Sequence, residues 1–294
     1  MKILILGGHG RLAAALAREL RKNHAVSTVA RPELDVSNPS ALESLLAQQD
    51  YEILINGTGM TNVDRCETAR EEARIVNAQA PGIMAADARK KCARLIHFST
   101  DYVFDGEKAE PYFEGDEAKP LGWYGQTKLD GEQAVLAQGP AHLVVRVSWV
   151  FGPDKPSFID MIIEKARANP LAEAIEDKVS SPTFACDVAG WIAPFFDPRL
   201  PGGLFHACNS GICSWREFGA FALQCAAEAG VPLVTTTVNP LRLADMKSFV
   251  APRPPFTALS TAKLASVTGI FPRPWQDAVR EYIRSHYAPI LPSA

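Results

Sequence analysis

The chain has 294 residues, 47% of them hydrophobic and 21% charged, which are the proportions of an ordinary globular protein with enough length for a large core in one domain or two. A formal net charge of −3 supplies no basic field, which argues against nucleic acid as a partner. No apolar run approaches the roughly 18 residues of a bilayer span, and the first residues lack the longer apolar region of a secretory signal, so no membrane partner is expected.

Residues 2–6 read as a first strand. Gly7-Gly8-His9-Gly10-Arg11-Leu12-Ala13 follows, then a helical run through Leu16 and Leu20. The spacing Gly7-x-x-Gly10-x-x-Ala13 lets backbone approach a pyrophosphate at a helix N-terminus, where free N–H groups and the dipole favour an anion. His9 breaks the strict G-x-G-x-x-G fingerprint, so this loop points to a dinucleotide only through its place after the first strand. A second strand over 25–30 ends at Arg31. A basic residue there suits the 2′-phosphate of NADP, with a solvated loop charge as the alternative.

Asp35-Val36 precedes a helix over 40–48. A third strand over 53–56 ends at Gly57-Thr58-Gly59-Met60, small residues against which a cofactor could lie. A helix over 71–91, carrying Asn77, leads to the apolar run Leu95-Ile96-His97-Phe98. That strand ends in Ser99-Thr100-Asp101-Tyr102, and Tyr124-Gly125-Gln126-Thr127-Lys128 opens the next helical pattern. The i,i+4 spacing sets Tyr124 and Lys128 on one helix face. A phenol of pKa about 10 is a poor acid at neutral pH, and a neighbouring ammonium is expected to lower it.

Alternation of strand and helix to this point predicts an α/β fold with a doubly wound, Rossmann-like parallel sheet, in which ligands sit at the carboxyl ends of the strands. The Gly7 loop, Arg31, Thr58 and Thr100 all fall at such ends. Beyond a strand over 142–150 the texture changes near Gly152. Helices are expected over 157–168, 187–195, 215–230 and 275–283, with Ser214 and Glu217 as a capping box for the third, and a strand over 203–207. The expected division is a dinucleotide-binding domain over 1–151, to which 184–208 returns, and a smaller substrate-binding lobe from 152–183 and 209–294. Six cysteines are scattered with no C-x-x-C pair, which predicts reduced thiols and a cytoplasmic location. Asp64, Glu67, Glu71 and Glu72 read as a helix start and a solvated face, and no acidic cluster marks a metal site.

The chain resembles the extended short-chain dehydrogenase/reductases, and within them the dTDP-4-dehydrorhamnose reductase family. The likeness is carried by Gly7 to Ala13, NGTGMTNVDRCE from Asn56, STDYVFDG from Ser99, YGQTK from Tyr124, RVSWVFG from Arg146, Ser181-Pro182-Thr183 and Ala251-Pro252-Arg253-Pro254. It implies reduction of a nucleotide-linked 4-keto-6-deoxy sugar. Tyr124 would protonate the C4 oxygen, Thr100 would hydrogen-bond it, and Lys128 would lower the phenol pKa and hold the nicotinamide ribose. It further implies cofactor contacts at Gly10, Arg11, Leu12, Asp35, Val36, Thr58, Gly59 and Met60, and substrate contacts at Asp101 and Trp149. NADPH is the implied cofactor with NADH as the alternative, and Mg2+ is left open. A homodimer is compatible with the likeness. Two positions depart from the usual pattern: Gly57-Thr58-Gly59-Met60 replaces an Ala-rich turn, and Trp123 stands where many relatives have Asn. Other readings are an epimerase or dehydratase of the same superfamily, or a non-catalytic cofactor-binding regulatory subunit similar to the methionine adenosyltransferase beta subunit. Tyr102, where a dehydratase would carry Glu after Asp101, argues against a dehydratase.

Overall fold

Strands buried on both faces carry unbroken apolar runs, because neither side meets water. In the computed structural model, which describes residues 1–287, six strands form one sheet in which every pairing is parallel, the inner four largely buried and the edge strands Ala25–Val29 and Gly203–His206 partly exposed. Its order in space is Gly203–His206, Leu143–Val147, Arg94–Thr100, Ile53–Asn56, Lys2–Leu6 and Ala25–Val29. The chain steps outward from its first strand to its second, then crosses back to place the third on the other side of the first. Helices at such a reversal leave on opposite faces, so the strand ends there border a crevice. Leu6 lies beside Asn56 in register, which puts the Gly7 and Gly57 loops at the mouth of that crevice.

Alternate residues of each strand face opposite layers. Ile3, Ile5, Ile96 and Phe98 pack with Leu16 of the helix Arg11–Leu20 and Val188 of the helix Ala185–Ile192. Leu4, Leu6 and Leu54 pack on the other side with Leu42, Met84 and Val135. A third apolar cluster, containing Phe151, Ile162, Phe218, Trp275 and Tyr282, lies under the helices Phe158–Ala168, Trp215–Glu228 and Trp275–His286. Ser214 and Glu217 form the capping box of the second of these, and Ser157 with Asp160 forms one on the first. Leu264, from the late helix Ala262–Thr268, joins the core beside the sheet.

Two elements differ from the sequence expectation. The helix expected over 71–91 is α-helical over Arg70–Arg74 and Ala80–Lys90 but widens into a π turn at Ile75–Gln79. Inside it, Asn77 Oδ1 accepts the Met60 N–H (2.9 Å), and Nδ2 donates to the Met60 carbonyl (3.1 Å) and the Thr127 hydroxyl (3.2 Å). The strand expected over 142–150 ends at Val147, because Trp149 takes a positive φ of 43°. Val150–Phe151 then pairs with Thr183–Phe184.

Candidate active site

The glycine loop is shaped by close backbone contact. Gly7 has a φ of +84°, and a Cβ there would stand 2.9 Å from the Gly57 carbonyl carbon. A Cβ on Gly57 would in turn stand 2.7 Å from Ala13 Cβ, so the two loops meet as bare main chain. Gly10 begins the helix Arg11–Leu20 without any side-chain cap, and no acid occupies the first turn. The N–H groups of that turn are therefore available to an anion. The Arg11 guanidinium does not point at that position. It donates to the carbonyls of Val150 (2.9 Å), Lys155 (3.0 Å) and Pro156, tying the helix start to the segment before the helix Phe158–Ala168.

Two cavities of about 480 and 500 Å³ meet over this loop and share Gly10, Thr58, Gly59 and Lys155 as walls. The first runs along Gly7, Arg31, Asp35, Val36 and Met60. Asp35 accepts the Ser37 N–H (3.0 Å) and hydroxyl (2.8 Å), which hold its carboxyl below the ordinary range. Arg31 makes no ion pair among the described residues. The second cavity is lined by Arg11, Leu12, Thr100, Asp101, Tyr124, Lys128 and Trp149. The cavities thus bring together the fifteen residues singled out in the sequence.

The helix Trp123–Leu136 delivers Tyr124 and Lys128 from one face, both buried, to the end of the strand that carries Thr100. Lys128 Nζ donates to the Phe98 carbonyl at 2.6 Å. The Thr100 hydroxyl donates to Asp101 Oδ1 (3.0 Å) and accepts the Tyr102 N–H (3.2 Å). Burial pushes the Tyr124 phenol above its ordinary pKa, with Thr100 acting the other way. This corrects the expectation of a lowered phenol. Lys128 is not among the groups that shift it, and desolvation of the phenolate dominates. Burial lowers Lys128 itself to about 8. Trp149 packs against Trp215 and Phe218, and its Nε1–H is buried without a hydrogen-bond partner.

Asp101 is less open than a ligand contact. Its Oδ2 lies within hydrogen-bond distance of the hydroxyls of Ser148 (2.9 Å), Ser180 (3.2 Å) and Thr257 (2.5 Å). Asp64 stands in the first turn of the helix Val63–Thr68, as a helix start, but neither it nor Glu67 is simply a solvated charge. Asp64 pairs with Arg253 through both oxygens (3.0 and 2.8 Å), and Glu67 accepts the Trp123 N–H at 2.5 Å. The two depart from the solvated reading because their partners lie far along the chain. Trp123, beside Tyr124, donates its indole N–H to the Arg70 carbonyl at 2.9 Å.

Sequence reasoning missed Lys155, which stands between the two cavities opposite the helix start. It sits in an aperiodic loop after Gly152-Pro153, where no pattern singles out one lysine. It also missed Lys178, whose fully buried ammonium donates to the Pro254 carbonyl (2.6 Å) and lies 4.8 Å from the centre of the Tyr102 ring. Among the described residues no His, Cys, Asp and Glu group could hold a metal ion, and no helix is long and apolar enough to cross a membrane.

Residues 1–288 match the family model of the RmlD substrate binding domain. A dTDP-4-dehydrorhamnose reductase of Mycolicibacterium smegmatis is 34% identical over 286 residues, covering 96% of this chain and 85% of that protein. A probable dTDP-4,6-dihydroxy-2-methyloxan-3-one 4-ketoreductase of Streptomyces antibioticus is also 34% identical, covering 96% and 94%. The crystal structure of dTDP-4-dehydrorhamnose reductase from Bacillus anthracis, in complex with NADP, superposes with a TM-score of 0.89 at 26% identity, covering 97% of this chain and 99% of that one.

Proposed function

The chain belongs to the RmlD substrate binding domain family, that of the dTDP-4-dehydrorhamnose reductases, and from that membership we propose that it reduces the C4 ketone of a dTDP-linked 4-keto-6-deoxy sugar with a nicotinamide dinucleotide. The observation that carries this reading is the placement of Thr100, Tyr124 and Lys128 at one end of a cavity that continues past the uncapped helix start to Arg31. The residues present fit a dinucleotide. An open helix N-terminus suits the pyrophosphate, with Lys155 across from it, and Arg31 favours NADPH over NADH.

The bound dinucleotide supplies the hydride. The remaining work falls to the chain. Tyr124 holds a proton at its phenol oxygen, and burial keeps it protonated at neutral pH, which is the state a donor to the forming alkoxide requires. Thr100 lines the same cavity as the phenol, at the end of its strand. Lys128 supplies positive charge beneath the reacting oxygen when protonated. Trp149 lines the cavity beside Tyr124 and Lys128, where its ring can contact the sugar. Residues 1–151 with 184–208 would hold the cofactor, and the remaining lobe would cover the sugar nucleotide. Six free cysteines are consistent with a cytoplasmic setting.

The test is NADPH oxidation with dTDP-4-dehydrorhamnose, with NADH in parallel and Tyr124→Phe as control. Oxidation that falls by about 10²–10⁴-fold in Tyr124→Phe, with cofactor affinity nearly unchanged, is expected. Cofactor binding without turnover on any keto-sugar would favour a regulatory subunit instead.

A further inference from the structure

Lys128 Nζ lies 3.5 Å from Nε2 of His97, a strand residue with no exposed surface. The other ring nitrogen, Nδ1, lies 3.0 Å from Asn56 Nδ2. The surrounding bonds decide where the ring proton sits. The Thr58 N–H can only donate, and it donates to Asn56 Oδ1 at 2.9 Å. The Asn56 amide nitrogen therefore faces His97, and since it offers only hydrogens it needs Nδ1 as an acceptor. A neutral ring with Nδ1 bare carries its proton on Nε2, the atom facing Lys128. A donor is thus aimed at the amine nitrogen. The contact is satisfied when Lys128 is a neutral amine and repulsive when it is an ammonium.

We infer that His97, held as its Nε2–H tautomer by Asn56 and through it by Thr58, is a positioning residue that disfavours the ammonium form of Lys128 from beneath, in addition to burial. The inference rests on the reading of Tyr124 and Lys128 as reacting groups. The Phe98 carbonyl accepts from Nζ at 2.6 Å and can do so from the amine or the ammonium; the other groups around Lys128 are few. On its own helix are Tyr124 and Glu132, and from the helix Val63–Thr68 comes Cys66. Glu132 favours the ammonium but is shared with Arg146 at 2.6 and 2.8 Å. Cys66 is pushed up to about 11 by burial and is neutral at physiological pH. Burial, and after it the charge of Lys128, holds His97 well below its ordinary value, in agreement with a ring that stays neutral. Thr58 faces the cofactor cavity, so the chain Thr58–Asn56–His97–Lys128 links the loop a dinucleotide would touch to the lysine it would need charged.

Two measurements test this. Nitrogen-15 NMR of the imidazoles in the protein without cofactor, from pH 6 to 9, should show one histidine, absent from His97→Asn, with Nδ1 bare and Nε2 protonated throughout. A proton on Nδ1, or titration within that range, overturns the inference whether or not the protein turns over any sugar. The second is the pH profile of kcat/KM, which reports groups of the free enzyme. With the ammonium as the competent form, activity falls as pH rises through the Lys128 value of about 8. His97→Asn keeps an acceptor for Asn56 and withdraws the donor from Lys128, so this limb should move up by roughly half a pH unit or more. His97→Gln, whose longer amide can restore the donor, should keep the wild-type limb. Equal behaviour of the two variants would mean that the ring only fills space.

Discussion

Asp101 shows how one carboxylate can set the direction of a neighbour's hydrogen bond. Its Oδ1 takes the Thr100 proton, which leaves the Thr100 oxygen to accept from other donors. Its Oδ2 gathers the hydroxyls of Ser148, Ser180 and Thr257. An amide at this position would keep its oxygen toward the three hydroxyls, since that orientation leaves fewest donors unpaired, and would turn its NH2 toward Thr100. Thr100 would then be forced to accept where it now donates. Asp101 also favours the charged form of Lys178, which burial lowers to about 8, so the neutral amide would weaken a second buried group. Asp101→Asn is therefore expected to fold with a loss of about 1–3 kcal/mol in chemical denaturation. Its kcat should fall on the order of tenfold or more while cofactor affinity holds. Wild-type kcat at lowered stability would show that the residue only holds its hydroxyl partners together.

The helix Trp123–Leu136 is the element that turns sequence spacing into a site, and two glycines let it sit close enough to do so. A Cβ on Gly125 would stand 2.2 Å from the Tyr102 carbonyl oxygen, and one on Gly131 would stand 2.1 Å from the Asn77 carbonyl oxygen. Both obstacles are main chain and cannot swing away. Gly131→Ala should cost at least the 1–3 kcal/mol typical of overpacking, roughly, and should lower kcat as Tyr124 shifts. Gly190, exposed in the helix Ala185–Ile192 with nothing near its missing Cβ, is the control: Gly190→Ala should gain about 0.5–1 kcal/mol in thermal melts. The i,i+4 face of Tyr124 and Lys128 was legible in the sequence because helix period alone fixes it, as were the inner sheet strands, whose apolar runs follow from burial on both faces. The π turn was not. Ile75–Gln79 reads as ordinary helix, and its widening accompanies Asn77 bonds to Met60 and Thr127, partners distant in sequence. The break at Trp149 was hidden for the same kind of reason, since its ring is held by Trp215 and Phe218 from another element. Desolvation of the phenol likewise depends on what covers it, which spacing cannot report.

At the scale of the whole molecule, residues 250–257 tie together segments that are far apart in the chain. Asp64, near the start of the helix Val63–Thr68, accepts the N–H groups of Val250 (2.9 Å) and Ala251 (2.8 Å) as well as the Arg253 guanidinium. The Pro254 carbonyl takes the Lys178 ammonium, and Thr257 reaches Asp101. A segment late in the chain therefore completes contacts that begin at residue 64 and end beside Thr100. Arg253 is nearly buried, with 8% of its side chain exposed, so its loss removes packing on the Phe249 ring along with the ion pair. The Arg253 hydrogen bond, ahead of the Ala251 and Val250 N–H groups, holds the Asp64 carboxyl below its ordinary 3.8. A carboxyl depressed in the folded state contributes its stability above the unfolded value and loses it as pH falls through the folded one. The Asp64–Arg253 pair is thus fully formed throughout the neutral range, while the Lys178 end of the clasp, lowered by burial to about 8, titrates within it. Arg253→Ala leaves Asp64 its two backbone donors but frees residues 250–253 from the helix Val63–Thr68, whose Val63 lines the cavity that holds Tyr124. The expected result is a rise of about tenfold in KM for the nucleotide sugar, equivalent to ~1.4 kcal/mol, with the cofactor Kd within twofold of wild type. Steady-state kinetics and cofactor fluorescence titration separate the two. A parallel loss of cofactor affinity would place the clasp's effect on the whole cavity, and an unchanged KM would mean that the segment stays closed on Lys178 and Asp101 alone.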